Sequence, residues 1–164
     1  EELGASLVHT RVGDVYVAER AKDDDVVFGG EPSGAWIFPE ETLCPDGPLA
    51  AVRLAVLAAV QPLSDRLAAF DPYPIRRTKI ETTAKRDAME IVRTECDGMG
   101  QSVTTLDGVR VSDAEGWFLI RASGTQPLVR ITAEARDPET ADQLLERAET
   151  VVSEAVSRAE TDQQ

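Results

Sequence analysis

The sequence predicts an α+β domain, one antiparallel sheet with two helices on one face, preceded by a separate segment of mixed strands and helices. Three observations carry this. DPYP, Asp71 to Pro74, puts two prolines in four residues and reads as a linker. After it the order runs strand, helix, several strands, helix. Before it lies the most apolar run of the chain, LAAVRLAVLAAV from Leu49 to Val60, introduced by Asp46-Gly47-Pro48. The expected bounds are residues 1–71 for the first part, 72–74 for the linker and 75–164 for the second part.

In the first part, Leu7-Val8 and Val26-Val27-Phe28 read as buried strands, while Val15 to Ala18 could be a strand or a helix start. Asp23-Asp24-Asp25 is a solvated turn rather than a metal site, since adjacent carboxylates repel and no ligand spacing follows. The length and Ala/Leu content of Leu49–Val60 predict a buried helix. A short amphipathic piece, Pro62 to Phe70, follows.

In the second part, Ile75–Thr82 reads as a strand and Ala84–Cys96 as a helix with Ala88, Ile91, Val92 and Cys96 near one face. Strands follow at Ser102–Leu106, Gly108–Ser112, Trp117–Arg121 and Leu128–Glu134. Asp137-Pro138 supplies an N-cap and a proline at the first helical position. Ala141, Leu144, Leu145, Ala148, Val151, Val152, Ala155 and Val156 then form a helical stripe.

The 164 residues carry 30 acids against 17 bases, a net charge of -13, which should repel nucleic acid and anionic membranes. No apolar run is long enough to span a bilayer. The chain opens on Glu1-Glu2 without Met or a secretory signal, as a piece of something longer would. Lys22, Lys79 and Lys85 are the only lysines; an Arg-rich, acidic, Lys-poor composition suggests a salt-adapted, cytoplasmic chain. Cys44 and Cys96 leave a disulfide open, but isolated cysteines in an intracellular chain read as free thiols; with His9 the single histidine, zinc is not expected.

Against this acidic background, RASGTQPLVR, Arg121 to Arg130, holds two arginines and no acid between Ala122 and Ile131. Guanidinium forks suit phosphate, Ser123 and Thr125 add hydroxyl donors, and Gly124 lets a turn aim its N–H groups at an anion. The competing reading is a surface hairpin with locally paired arginines. A second loop, GGEPSGAW from Gly29 to Trp36, offers Glu31 and Ser33 to neighbouring sugar hydroxyls, or is simply a glycine-rich turn. Arg76, Arg77 and Lys79 read as strand-edge charge that could help a phosphate site.

Together the two loops resemble the α-D-phosphohexomutase family. RASGTQPLVR is similar to its phosphate loop, R-x-S-G-T-E-P-x-x-R, and GGEPSGAW to its sugar loop, G-E-x-S-G-H. Thr10-Arg11-Val12-Gly13-Asp14 resembles the T-x-V-G-D segment before the sugar loop. The resemblance implies a four-domain enzyme that interconverts hexose 1- and 6-phosphates through a phosphoserine and a bisphosphorylated sugar. Residues 1–71 would then be the later part of its α/β third domain and 75–164 its fourth. Glu31, Ser33, Gly13 and Asp14 would face the sugar; Arg121, Ser123, Gly124, Thr125 and Arg130 would hold the phosphate not being transferred. The serine loop (T-x-S-H-N-P) and the Mg²⁺ loop (D-G-D-x-D-R) of the family do not occur here. The resemblance thus implies an inactive C-terminal fragment with no catalytic or metal residue of its own. Its partners would be the missing N-terminal domains and a phosphosugar; hexose 1,6-bisphosphate would be intermediate or activator.

Two positions depart from the pattern: Ala35 replaces the sugar-loop His, and Gln126 replaces the phosphate-loop Glu. The form GEPSGAW resembles the archaeal phosphoglucosamine mutase-type branch, so glucosamine phosphate is the first expectation, with mannose and glucose phosphates as alternatives. A non-catalytic anion-binding module is the competing class. A nucleic-acid binder conflicts with the charge. Exposed sheet edges in a truncated first domain predict self-association.

Overall fold

The structure is a computed structural model describing residues 4–99 and 102–161. Glu1 and Glu2, and the last three residues of the expected second domain, lie outside the described residues. The chain divides into two compact units, Glu1–Asp71 and Pro72–Gln164.

The second unit is built as its periodicity dictates. Strands β3 (Ile75–Glu81), β4 (Ser102–Thr104), β5 (Val109–Ser112), β6 (Gly116–Ala122) and β7 (Leu128–Ala135) form one sheet in the order β3-β7-β6-β5-β4. Every neighbouring pair is antiparallel. Alternation sends Val109, Val111, Phe118, Ile120, Val129, Ile131 and Ala133 to one face, where all are buried. Helices α4 (Lys85–Cys96) and α5 (Pro138–Thr161) cover that face with Ala88, Val92 and Cys96 from one, and Ala141, Ala148, Val152 and Ala155 from the other. Burial pushes the Cys96 thiol pKa up, so this cysteine is an apolar core residue.

The helix starts where Asp137 caps it. Its carboxylate accepts the Thr140 N–H at 2.9 Å and the Thr140 hydroxyl at 2.7 Å, which lowers its pKa. The opposite face of the sheet is partly exposed, with Leu128 at its end buried. Register places Arg77, Lys79, Arg130, Thr132, Leu119, Arg121 and Arg110 there.

The first unit is smaller and departs further from the sequence expectations. It contains α1 (Asp14–Arg20), β1 (Gly29–Gly30), β2 (Trp36–Ile37), α2 (Gly47–Val60) and α3 (Leu63–Leu67). Helix wins over strand at Val15–Ala18. Neither expected strand forms at Leu7-Val8 or Val26–Phe28; Leu7, Val8, Val27 and Phe28 are exposed, and pairing begins only at Gly29. A strand needs a partner to satisfy its backbone, and the described residues offer these segments none. Leu49–Val60 does form a helix, capped by Asp46 accepting from Leu49 N–H at 2.8 Å, but it is not buried. Only Ala50 is covered, and Val60 is 78% exposed. The small core of this unit, Val17, Ala21 and Ile37, lies elsewhere. The Asp23–Asp25 turn is held by Arg20, which bonds Asp23 and both oxygens of Asp25. Cys44 is exposed and, like Cys96, a free thiol. Among the described residues no helix is long and apolar enough to cross a membrane.

Candidate functional site

The turn between β6 and β7 carries the arginine-rich motif. Ser123 N–H donates to Leu128 O at 2.9 Å and Leu128 N–H to Gln126 O at 2.9 Å, closing the loop. Ser123 is buried, and its Oγ accepts Gln126 N–H at 3.3 Å. The turn is also tied from below. Thr82 N–H donates to Pro127 O at 3.0 Å, and Lys85 Nζ donates to Ser123 O at 2.6 Å and Gln126 O at 3.0 Å. Buried Thr82 in turn accepts from Ala84 N–H and donates to Glu160. This leaves the N–H groups of Gly124 and Thr125 without an acceptor among the described residues, and both residues are exposed.

Register sets the electrostatics. Arg121 stands directly opposite Arg130, and Arg130 opposite Lys79 on the other side. Three cations therefore sit side by side across β6, β7 and β3. Like charges directly opposed cost stability in a sheet, and each of the three cations has a partner of its own. Lys79 meets Glu81 at 3.3 Å on the surface. Arg130 donates to the neutral amide oxygen of Gln126 at 2.9 Å, a contact that does not neutralise its charge.

Arg121 bears on the two readings of the loop. The absence of an acid between Ala122 and Ile131 favoured an anion site over local pairing and left a distant carboxylate open. Asp107, from the turn before β5, reaches across to bond Arg121 Nη1 at 2.9 Å. Cross-strand folding brings together residues that sequence distance separates. Bonded to Asp107 through Nη1, the guanidinium has no second side-chain partner among the described residues.

Gly124 needs a correction. Its φ is not positive, and a Cβ there would meet nothing within 4 Å. The turn does not need glycine for its shape. What glycine provides at this position is open space over the exposed N–H groups.

In the first unit the sugar-type motif is a tight loop. Glu31 N–H donates to Ala35 O at 2.9 Å and Gly34 N–H to Glu31 O at 3.0 Å. Glu31 also ties the two sequence motifs together, its Oε1 accepting Gly13 N–H at 2.8 Å. Gly13 adopts φ +129, a region that L-residues rarely enter, to start α1 in this way. Asp14 stays exposed and accepts from Val15 N–H at 2.9 Å. The Ser33 hydroxyl and the second oxygen of Glu31 have no partner among the described residues. Phe28, Trp36 and Phe38 stack beside the loop with centroids 5.5 and 5.3 Å apart.

The comparisons with known proteins agree over most of the chain. The family model described as "Phosphoglucomutase/phosphomannomutase, alpha/beta/alpha domain III" matches residues 1–73, and "Phosphoglucomutase/phosphomannomutase, C-terminal domain" matches residues 49–151. The chain belongs to the phosphoglucomutase/phosphomannomutase family. Among the relatives of this chain is a probable phosphoglucosamine mutase of Methanopyrus kandleri, 42% identical over 159 residues, with 94% of this chain and 35% of that protein covered. Another, from Methanosarcina acetivorans, is 44% identical over 155 residues, covering 93% and 35%. A crystal structure of a phosphoglucomutase/phosphomannomutase family protein from Burkholderia thailandensis matches with a TM-score of 0.74 at 23% identity, over 89% of this chain and 32% of that one. At that identity the likeness speaks for the fold. The chain thus spans about a third of the length of the curated relatives it matches.

The sequence did not mark Thr82, Lys85 and Asp107 as partners of the loop. Lys85 alone left a trace there, as one of three lysines among seventeen basic residues.

Proposed function

We propose that this chain is the substrate-binding C-terminal portion of a phosphohexomutase, with glucosamine phosphate as its sugar. The observation that carries the reading is the register that stands Arg121 opposite Arg130 beneath a loop with two uncommitted N–H groups. Arg121 and Arg130 offer the phosphate their guanidinium donors; Gly124 and Thr125 offer backbone N–H groups, and Ser123 and Thr125 their hydroxyls. Glu31 and Ser33 take sugar hydroxyls, with Gly13 holding Glu31 in place and Asp14 beside it. The names of the archaeal relatives support glucosamine phosphate over mannose or glucose phosphate.

The role is positioning. Binding energy from the distal phosphate is spent on orienting the sugar for transfer at its other end. A site that accepts either phosphate lets a bisphosphorylated intermediate turn around, which an interconversion of 1- and 6-phosphates requires. The transferring serine and the Mg²⁺ belong to parts of the longer protein with other motifs. Among the described residues no group of three or more His, Cys, Asp or Glu side chains is placed to hold a cation. The chain alone is inactive in this reading, and the whole enzyme works in the cytoplasm.

An amide NMR titration of the 164-residue chain in high KCl tests the proposal. Inorganic phosphate is to shift residues 121–130, and glucosamine 6-phosphate is to add shifts at 31–34. No shift at millimolar phosphate would sink the phosphate site.

A further inference from the structure

Lys85 is the first residue of α4, the end of a helix where a cation is electrostatically disfavoured. It is half-buried as well, which adds a desolvation cost. A residue that breaks two local rules at once is expected to be held there by a compensating interaction. The compensation is visible in its ammonium group, which donates to Ser123 O at 2.6 Å and to Gln126 O at 3.0 Å. These two carbonyls bracket Gly124 and Thr125.

We propose that Lys85 is a positioning residue for phosphate, its ammonium drawing the Ser123 and Gln126 carbonyls together so that the Gly124 and Thr125 N–H groups are presented to the anion. The inference rests on the phosphate reading above and names a residue outside the loop motif. Its logic is that a peptide unit is a dipole. A cation gathering the carbonyls on one side of a turn favours N–H groups gathered on the other. An ammonium suits the task because it is compact and its three donors rotate freely, so one group can serve two carbonyls. Lys85 also adds a full positive charge close to a loop already flanked by Arg121 and Arg130. Thr82, bonded to Pro127 O and to Ala84 N–H, fixes the turn that carries Lys85 and so sets the distance between lysine and loop.

The experiment compares the unmodified chain with Lys85→Met and Lys85→Arg. Inorganic phosphate affinity is measured by amide NMR at low salt and at about 1 M KCl, where screening removes most of a bare-charge contribution. Lys85→Met is expected to bind phosphate about tenfold or more weakly at both salt levels. The Gly124 and Thr125 resonances are expected to move even without ligand. Lys85→Arg, which keeps the charge and can reach both carbonyls, is expected to recover most of the affinity. Unchanged affinity in Lys85→Met, or a loss that disappears in high salt, overturns the positioning role while leaving the phosphate site standing. An unmodified chain that binds no phosphate removes the site, and this proposal with it. Should Lys85→Met not fold, the ammonium protons of the unmodified chain decide. Protection from solvent exchange beyond that of surface-exposed Lys22 supports the bridge, and equal exchange overturns it.

Discussion

At the residue scale, the loop separates groups that shape it from groups that leave room. Gly124 belongs to the second kind. Because its backbone angles suit any residue and nothing lies near its Cβ position, Gly124→Ala is expected to leave the melting temperature unchanged or slightly raised. The same change puts a methyl group beside the two exposed N–H groups and is expected to weaken phosphate binding about tenfold. A calorimetric melt and a phosphate titration on one sample check both halves. A fall in stability with unchanged binding would return Gly124 to ordinary turn chemistry. Arg121 makes the complementary case. Arg121→Lys keeps the charge but loses the planar fork, so phosphate affinity is expected to fall about tenfold despite the conserved charge. A titration matching the unmodified chain would mean that Arg121 serves Asp107 alone.

At the element scale, the second unit stands on its helix caps and its sheet-to-helix core. The folded-state pKa of Asp137 is depressed because Thr140 donates to it from its backbone and its side chain. A depressed carboxylate contributes stability that is present above the ordinary aspartate range and is lost as pH falls through the folded-state value. Asp137→Ala is therefore expected to lower the melting temperature at neutral pH, and the gap to the unmodified chain is expected to close in acid. Melts recorded from pH 7 down to pH 2 test this, and a gap independent of pH would show that the charge has no part in the cap. Phe118 is fully buried where β6 meets the helices. Phe118→Ala is expected to cost about 3–5 kcal/mol, read from denaturant unfolding of the second unit.

On the scale of the whole molecule, a net charge of -13 is set against an exposed apolar helix. Val52, Leu54, Val56, Leu57 and Val60 of α2 are all open to solvent. Exposed apolar patches of this kind drive association, while like net charges oppose it at low ionic strength. The chain is therefore expected to self-associate increasingly as KCl is raised, since salt screens the repulsion and leaves the apolar attraction. Light scattering across a KCl series measures this. A constant monomer mass at high salt and high concentration would show that α2 is not sticky in this setting.

Two kinds of information divide between sequence and tertiary structure here. Elements whose signals are local were legible. The α5 stripe, the Asp137-Pro138 start and the four strands after Cys96 follow from periodicity and capping, which act over neighbouring residues. The loop motifs stand out in the sequence for the same reason, since ten consecutive residues hold two arginines, two hydroxyls and no acid. What sequence could not determine was anything that depends on a partner distant along the chain. Leu7-Val8 and Val26–Phe28 have strand composition, but a strand exists only where another pairs with it. The apolar run at Leu49–Val60 dictates a helix, yet burial is a property of what lies against it. The site divides along the same line. Arg121 and Arg130 were visible as residue types, but it is the antiparallel register that stands them face to face. Asp107 on Arg121, Glu31 on Gly13 and Lys85 under Ser123 and Gln126 are contacts across 14, 18, 38 and 41 residues. Only the folded backbone, by fixing which strands pair and which turns approach, makes those groups neighbours.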